Sequence, residues 1–177
     1  EGNAPGCHRY TSDVRLIEGA DRVEITTTID KRAVRKKEGV HIAFPFSVSE
    51  AVIHYDVAGA IVLPETDQLA GSCKNFFSVQ SWIDVSNAKC GVTLATPDAP
   101  LVEIGGITAE QPWKTVVTPS PVIYSYVMNN YWHTNYKADQ EGVLVLHYVL
   151  MPHGRYKPED AARFGRECRE PLIVVPA

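Results

Sequence analysis

The chain has 177 residues, 45% of them hydrophobic and 21% charged, with a formal net charge of −4; it is long enough to bury a sizeable core, with the balance of a soluble globular protein. Nucleic acid is not an expected partner, because the densest positive run, Lys31-Arg32-Ala33-Val34-Arg35-Lys36-Lys37, stops at Glu38-Gly39 and reads as a solvated turn. Nor is a membrane, since no apolar run approaches the roughly 20 residues of a spanning helix.

Residues 1–20 are polar and read as a lead-in, poorly ordered at its start. The opening Glu1-Gly2-Asn3-Ala4-Pro5 carries neither Met nor a signal segment and reads as processed or cut from something longer. Residues 21–177 read as a single domain. Arg22 to Ile29 alternates apolar and β-branched polar residues, the pattern of a strand with one wet face. Lys37-Glu38-Gly39 turns the chain into a strand from Val40 to Phe44, which Pro45 ends. Strands follow over Ala51 to Val57 and Ala60 to Leu63, then a loop from Glu65 to Asn75. Phe76 to Val85 reads as one long strand, with Phe77, Val79, Ile83 and Val85 on one face and Gln80, Trp82 and Asp84 on the other. Gly91 to Thr96 and Leu101 to Ile104 are further short strands, and Gly105 to Pro121 is a loop.

Val122 to Met128 and Val143 to Leu150 are apolar runs flanking the most distinctive stretch of the chain. The second run is apolar on both parities except at His147 and Tyr148, which suits a strand covered on both faces. Pro158-Glu159-Asp160 gives the one good helix start, with proline in the first turn and acids at the positive end of the dipole. Leu172 to Val175 reads as a final strand. Many short strands separated by turns, with one short helix near the C-terminus, predict an all-β, antiparallel β-sandwich.

The stretch between the two apolar runs is Asn129-Asn130-Tyr131-Trp132-His133-Thr134-Asn135-Tyr136. Amides that donate and accept, beside flat rings with polar handles, suit a sugar or a domain packed alongside. The same residues suit a corner tied by side-chain to backbone bonds, and the sequence leaves both readings open. Gln80, Trp82 and Asp84 on one strand face are secondary candidates for sugar contact, set against an ordinary wet face carrying one half-buried Trp. His147, in its apolar strand, reads as a hydrogen-bonded core histidine. Cys7, Cys73, Cys90 and Cys168 show no Cys-x-x-Cys spacing, which argues against structural zinc and leaves disulfides and thiols both open. No phosphate cradle or Gly-x-Ser-x-Gly nucleophile motif is present.

Phe44-Pro45-Phe46, Val79 to Ser86, Gly91 to Leu101, Asn129 to Asn135 and Gln140-Glu141-Gly142, in that order, resemble the C-terminal β-sandwich region of glycoside hydrolase family 38, the α-mannosidases. The resemblance runs from Val40 to Val175. It implies a large antiparallel supersandwich similar to galactose mutarotase and a parent enzyme with an N-terminal catalytic domain. That domain would hold the zinc ion, whose site begins with a His-x-Asp pattern, together with the aspartate nucleophile and the acid/base carboxylate. No cofactor and no catalytic residue is expected in this chain, whose partners would be the catalytic domain and carbohydrate. The leading expectation is a non-catalytic domain bracing or lining the substrate cleft. A stand-alone carbohydrate-binding module is the alternative. Less favoured is an aldose epimerase using His147 or His41 with Glu103.

Overall fold

Strand follows strand with one helix at the end: β1 (Cys7–Leu16), β2 (Val23–Lys31), β3 (Glu38–Pro45), β4 (Val52–Val57), β5 (Ala60–Val62), β6 (Phe77–Ser78), β7 (Trp82–Ser86), β8 (Gly91–Ala95), β9 (Leu101–Ile104), β10 (Val122–Asn130), β11 (Gly142–His153) and α1 (Pro158–Arg169). This computed structural model describes residues 6–108, 113–118, 120–130, 135, 137–170 and 172–173. The strands form two antiparallel sheets, a seven-stranded one in the order β1-β2-β11-β8-β7-β4-β5 and a four-stranded one in the order β3-β10-β9-β6. The alternating residues of their facing sides make the core, so the chain is an all-β sandwich.

At the centre Ile83, Val85, Leu94, Val102, Ile123 and Tyr148 are each 0% exposed, so any loss of volume there leaves a cavity. Tyr148 on β11 reaches across the core, where its hydroxyl lies 2.9 Å from Ser125 Oγ on β10. Burial drives the Tyr148 phenol up to about 12, against the opposing hydrogen bond to Ser125, so it stays neutral and joins the sheets as a hydrogen-bonding group. Phe44 on β3 packs against the same ring at 4.9 Å between centroids.

The helix begins at Pro158, as its sequence predicts, with Glu159 and Asp160 in the first turn and Arg166 and Arg169 in the last. Its buried residues, Ala161, Phe164 and Gly165, share one stripe and lie on the outer face of β7 and β8. Gly165 permits close approach, because a Cβ there would run into Trp82 Cδ1 and come within 3.1 Å of Ser81 Cβ. The helix therefore fits only one distance from the sheet.

Several elements differ from the sequence reading. Residues 7–16, read as part of a lead-in, form β1, paired along its length with β2; its inward row Tyr10, Ser12, Val14, Leu16 is too mixed to announce a strand. Glu38-Gly39, read as a turn, opens β3. Phe76 to Val85 is two strands in different sheets, β6 and β7. The chain crosses between them at Val79–Ser81, where Asp56 Oδ1 accepts the backbone N–H groups of Ser81 and Trp82 at 2.8 and 2.9 Å. Burial continues through the crossover, so the hydrophobic pattern gives no sign of the bend. β11 is covered on one face only over its first half, where Val143 and Val145 are 64% and 47% exposed because α1 packs on β7 and β8 instead. Leu172 and Ile173 are exposed and outside any strand, and Val174 and Val175 lie outside the described residues.

Two substitutions test this packing by chemical denaturation. Gly165→Ala should destabilise the chain by about 1–3 kcal/mol through overpacking against Trp82, and an unchanged midpoint would contradict the close approach. Tyr148→Phe should cost about 1 kcal/mol by leaving Ser125 Oγ without its buried partner.

Candidate functional site

The amide-rich stretch starts inside β10, and a β-bulge decides where its first residues point. Ile123 and Ser125 face the core before a register shift between Tyr126 and Met128; after it, Met128 and Asn130 are the buried positions. One extra residue has inverted the parity of the strand. Asn130 is consequently 2% exposed and Asn129 half-buried.

Asn130 Nδ2 donates to Val34 O at 2.7 Å and to Glu38 Oε1 at 3.0 Å. Glu38 Oε1 also takes Lys31 Nζ at 2.5 Å, and that ammonium, whose side chain is 2% exposed, donates to Arg32 O at 2.7 Å. Lys31 continues the inward row Ile25, Thr27, Ile29 of β2, so the sheet register carries its charge into the sandwich, and Glu38 offsets the cost of desolvation. Above this cluster Arg35 Nε meets Asp139 Oδ2 at 3.0 Å. That guanidinium, with Lys137 beside it, holds the Asp139 carboxyl below its usual range. The basic run from Lys31 to Lys37, read as a solvated turn, thus bends over the end of β10 and anchors to the segment before β11.

Of the predicted contact residues, Asn129 and Asn130 sit at this corner, and Asn135 is exposed near it in sequence. Tyr131, Trp132, His133, Thr134 and Tyr136 lie outside the described residues. Asn130 spends both of its donors on the protein, which is corner-building work. Lys31 and Glu38 escaped the sequence reading, although a lysine at an inward strand position is a signal that a counter-charge must be found.

The secondary candidates separate. Gln80 is exposed, whereas Trp82 and Asp84 are 1% and 0% exposed beneath α1 rather than on an open sheet face. Asp84 Oδ1 accepts Ser86 Oγ at 2.5 Å, and Oδ2 accepts Thr93 Oγ1 and His153 Nε2, each at 2.7 Å. Three side-chain donors thus hold the carboxylate, which makes it a buried polar lock under the helix.

The pairs considered for acid–base work also separate. His41 Nε2 lies 2.7 Å from Glu103 Oε1, and the His41 ring stacks on Tyr126 at 4.4 Å. Glu103 Oε2 accepts both the N–H and the hydroxyl of Thr108, at 2.6 and 2.7 Å. Burial pushes the Glu103 carboxyl up, but the hydrogen bonds from His41 and Thr108 outweigh it and hold the group below its ordinary range. A carboxylate so saturated is stabilised as an anion and poorly placed to take a substrate proton. His147 stands apart on the outer face of β11, 55% exposed at its side chain and 2.7 Å from Asp98 Oδ2, and is not a core histidine.

His54-Tyr55-Asp56 does carry the His-x-Asp spacing with which the family's metal site begins. On β4, however, the Asp56 carboxylate holds the crossover amides and His54 stacks on Tyr156 at 4.1 Å between centroids. Among the described residues no group of three His, Cys, Asp or Glu side chains is placed to hold a metal ion, so the zinc implied by the resemblance has no fitting ligand set there. Cys73, Cys90 and Cys168 are free thiols, and burial drives that of Cys168 up to about 11.

The fold is similar to solved glycoside hydrolases. An α-mannosidase from Enterococcus faecalis V583 superposes with a TM-score of 0.65 at 18% sequence identity, over 92% of this chain and 18% of that one. A protein in the glycosyl hydrolase family 38 from Enterococcus faecalis superposes with a TM-score of 0.63 at 17% identity, with the same coverage of both chains. The chain thus spans under a fifth of each neighbour's length. No protein-family model and no curated protein matches the sequence.

Two predictions follow from the buried charges. Glu38→Ala should destabilise the chain by about 3 kcal/mol, because Lys31 keeps its desolvation cost without its partner; adding Lys31→Met should restore most of that loss in the double variant. Burial holds His54 below its ordinary value of 6.5, against the weaker pull of Asp84 and Asp67. As pH falls through 6.5 the unfolded chain gains a proton there that the folded chain resists, so stability should drop towards pH 5. Thermal unfolding across that range should show a shallower fall in His54→Phe.

Proposed function

We propose that this chain is a non-catalytic β-sandwich domain of an α-mannosidase-like glycoside hydrolase, working beside a catalytic domain whose substrate cleft it braces or lines. The observation that carries the reading is a fold likeness covering 92% of this chain but only 18% of an α-mannosidase. A match of that shape is what a component domain gives. The ordered motifs Val79 to Ser86, Gly91 to Leu101 and Asn129 to Asn135 lead to the same family independently of the coordinates.

In this reading the corner at the end of β10 has a mechanical task. Lys31, Glu38 and Asn130 hold the end of β10 firmly, and the aromatic and amide residues that follow it in sequence, Tyr131 to Tyr136, supply the contact with the catalytic domain or its sugar. The catalytic carboxylates and the zinc belong to the catalytic domain; this chain contributes shape and contact. The saturated hydrogen bonding of Glu103 and Asp84 agrees with a structural rather than a chemical role for both.

The test is paired and uses the full natural polypeptide that carries this sequence, with turnover of an aryl α-mannoside and thermal unfolding read on the same variants. Trp132→Ala should lower kcat/KM by more than its loss of stability explains, whereas Asn130→Ala should lower the unfolding temperature first. Full activity in a folded Trp132→Ala protein would remove the cleft assignment. Absence of any α-mannosidase activity in the unsubstituted polypeptide would remove the parent enzyme.

A further inference from the structure

We propose that the β1–β3 side of the sandwich is a docking face, on which another β-segment of the same longer polypeptide adds a strand to β1 and covers its inward apolar row. The proposal rests on the reading of the chain as one domain of such a polypeptide, and it names the surface through which the domain joins the rest.

The two sheets are unequal, seven strands against four, and the surplus is left bare at β1. In register with β2, the inward row of β1 is Tyr10, Ser12, Val14 and Leu16, opposite Ile29, Thr27, Ile25 and Val23. Tyr10 packs against the core, but Val14 and Leu16 are 62% and 79% exposed, and Ile17 beyond them 44%. These side chains lie on the core side of the sheet, where burial is the reason for an apolar residue, and nothing in the smaller sheet extends over them. A cleft of about 280 Å³ runs between the sheets on the same side, lined by Cys7, Tyr10 and Lys31 from one and by Val40 and Ile42 from the other.

β1 and β3 are the outermost strands of their sheets on this side, ten and eight residues long. An edge strand of that length is a template for pairing, which proteins guard with proline, charged side chains, bulges or inward-pointing charges. β1 has a bulge between Cys7 and Arg9 and charges on its outward row, but the inward row from Tyr10 to Leu16 has no proline and no charge to keep a partner strand from covering it. Its outward row, Arg9, Thr11, Asp13 and Arg15, mixes charges of both signs, so pairing across the edge brings no large single-sign field to overcome. The occupant follows from the comparison: in the solved neighbours the matched region is 18% of the chain, and the greater part of the same polypeptide is available to complete the sheet. Strand addition satisfies the outward backbone groups of the edge from Thr11 to Leu16, and alternate side chains of the added strand cover Val14 and Leu16.

Hydrogen exchange on the full natural polypeptide tests this, with β2 as the internal standard. The expected result is that β1 amides directed away from β2 exchange as slowly as those of β2, and that Val14→Lys combined with Leu16→Lys abolishes this protection. Rapid exchange at those amides beside a protected β2 overturns the proposal. So does protection that disappears on dilution together with a dimer, since a second copy would then be the occupant. Mannosidase activity is measured on the same preparation: protected amides without activity leave the docking face standing and remove the parent enzyme, whereas activity with an unprotected β1 does the reverse.

Discussion

A four-stranded sheet cannot cover a seven-stranded one, and most of this architecture answers that inequality. Where the sheets do overlap, they meet through Ile83, Val85, Leu94, Val102, Ile123 and Tyr148, packed without solvent access. On the outer face of the wide sheet α1 covers β7 and β8, and Gly165 brings it close to Trp82. Among the described residues, the end of β1's inward row is also left open, with Val14 and Leu16 62% and 79% exposed. Hydrophobic burial scales with the area removed from water, so an uncovered inward row is stabilisation waiting for a partner.

The buried charged side chains among the described residues are each paired. Lys31 has Glu38, Asp84 has His153 with two hydroxyls, and Glu103 has His41 with both donors of Thr108. Each set sits where strands from different parts of the chain converge: the end of β10, the floor under α1, and the outer face of the smaller sheet, where His41 on β3 reaches Glu103 on β9 across β10. Such sets contribute less to net stability than to selecting one arrangement, because a slipped register would strand a charge. Paired sets of this kind make a firm scaffold.

The sandwich and its helix were legible in the sequence because they rest on local signals. Alternation marked β2, β3 and β4, and Pro158 with two acids marked α1. What stayed hidden was tertiary. Phe77 to Ser86 keeps its alternation while changing sheets, so periodicity cannot reveal the crossover that Asp56 stabilises. Trp82 and Asp84 looked like a wet face because a helix some 75 residues later in the chain, a separation of order set by topology rather than local propensity, covers them. The bulge after Tyr126 turns Asn130 inward against a parity count begun at Val122. His147 looked like core because its neighbours are apolar, yet on its face of β11 Val143 and Val145 are open too.

The central claim is that this sandwich is a structural domain whose open side and polar corner are directed at the rest of a larger glycosidase. The most direct measurement is a structure of the full natural polypeptide with an α-mannoside bound. The account predicts β1 paired with a strand from outside residues 6–173, and the segment leaving Asn130 turned towards the catalytic domain or the sugar. A polypeptide whose β1 edge is bare and whose corner faces solvent, away from any catalytic domain, would contradict it.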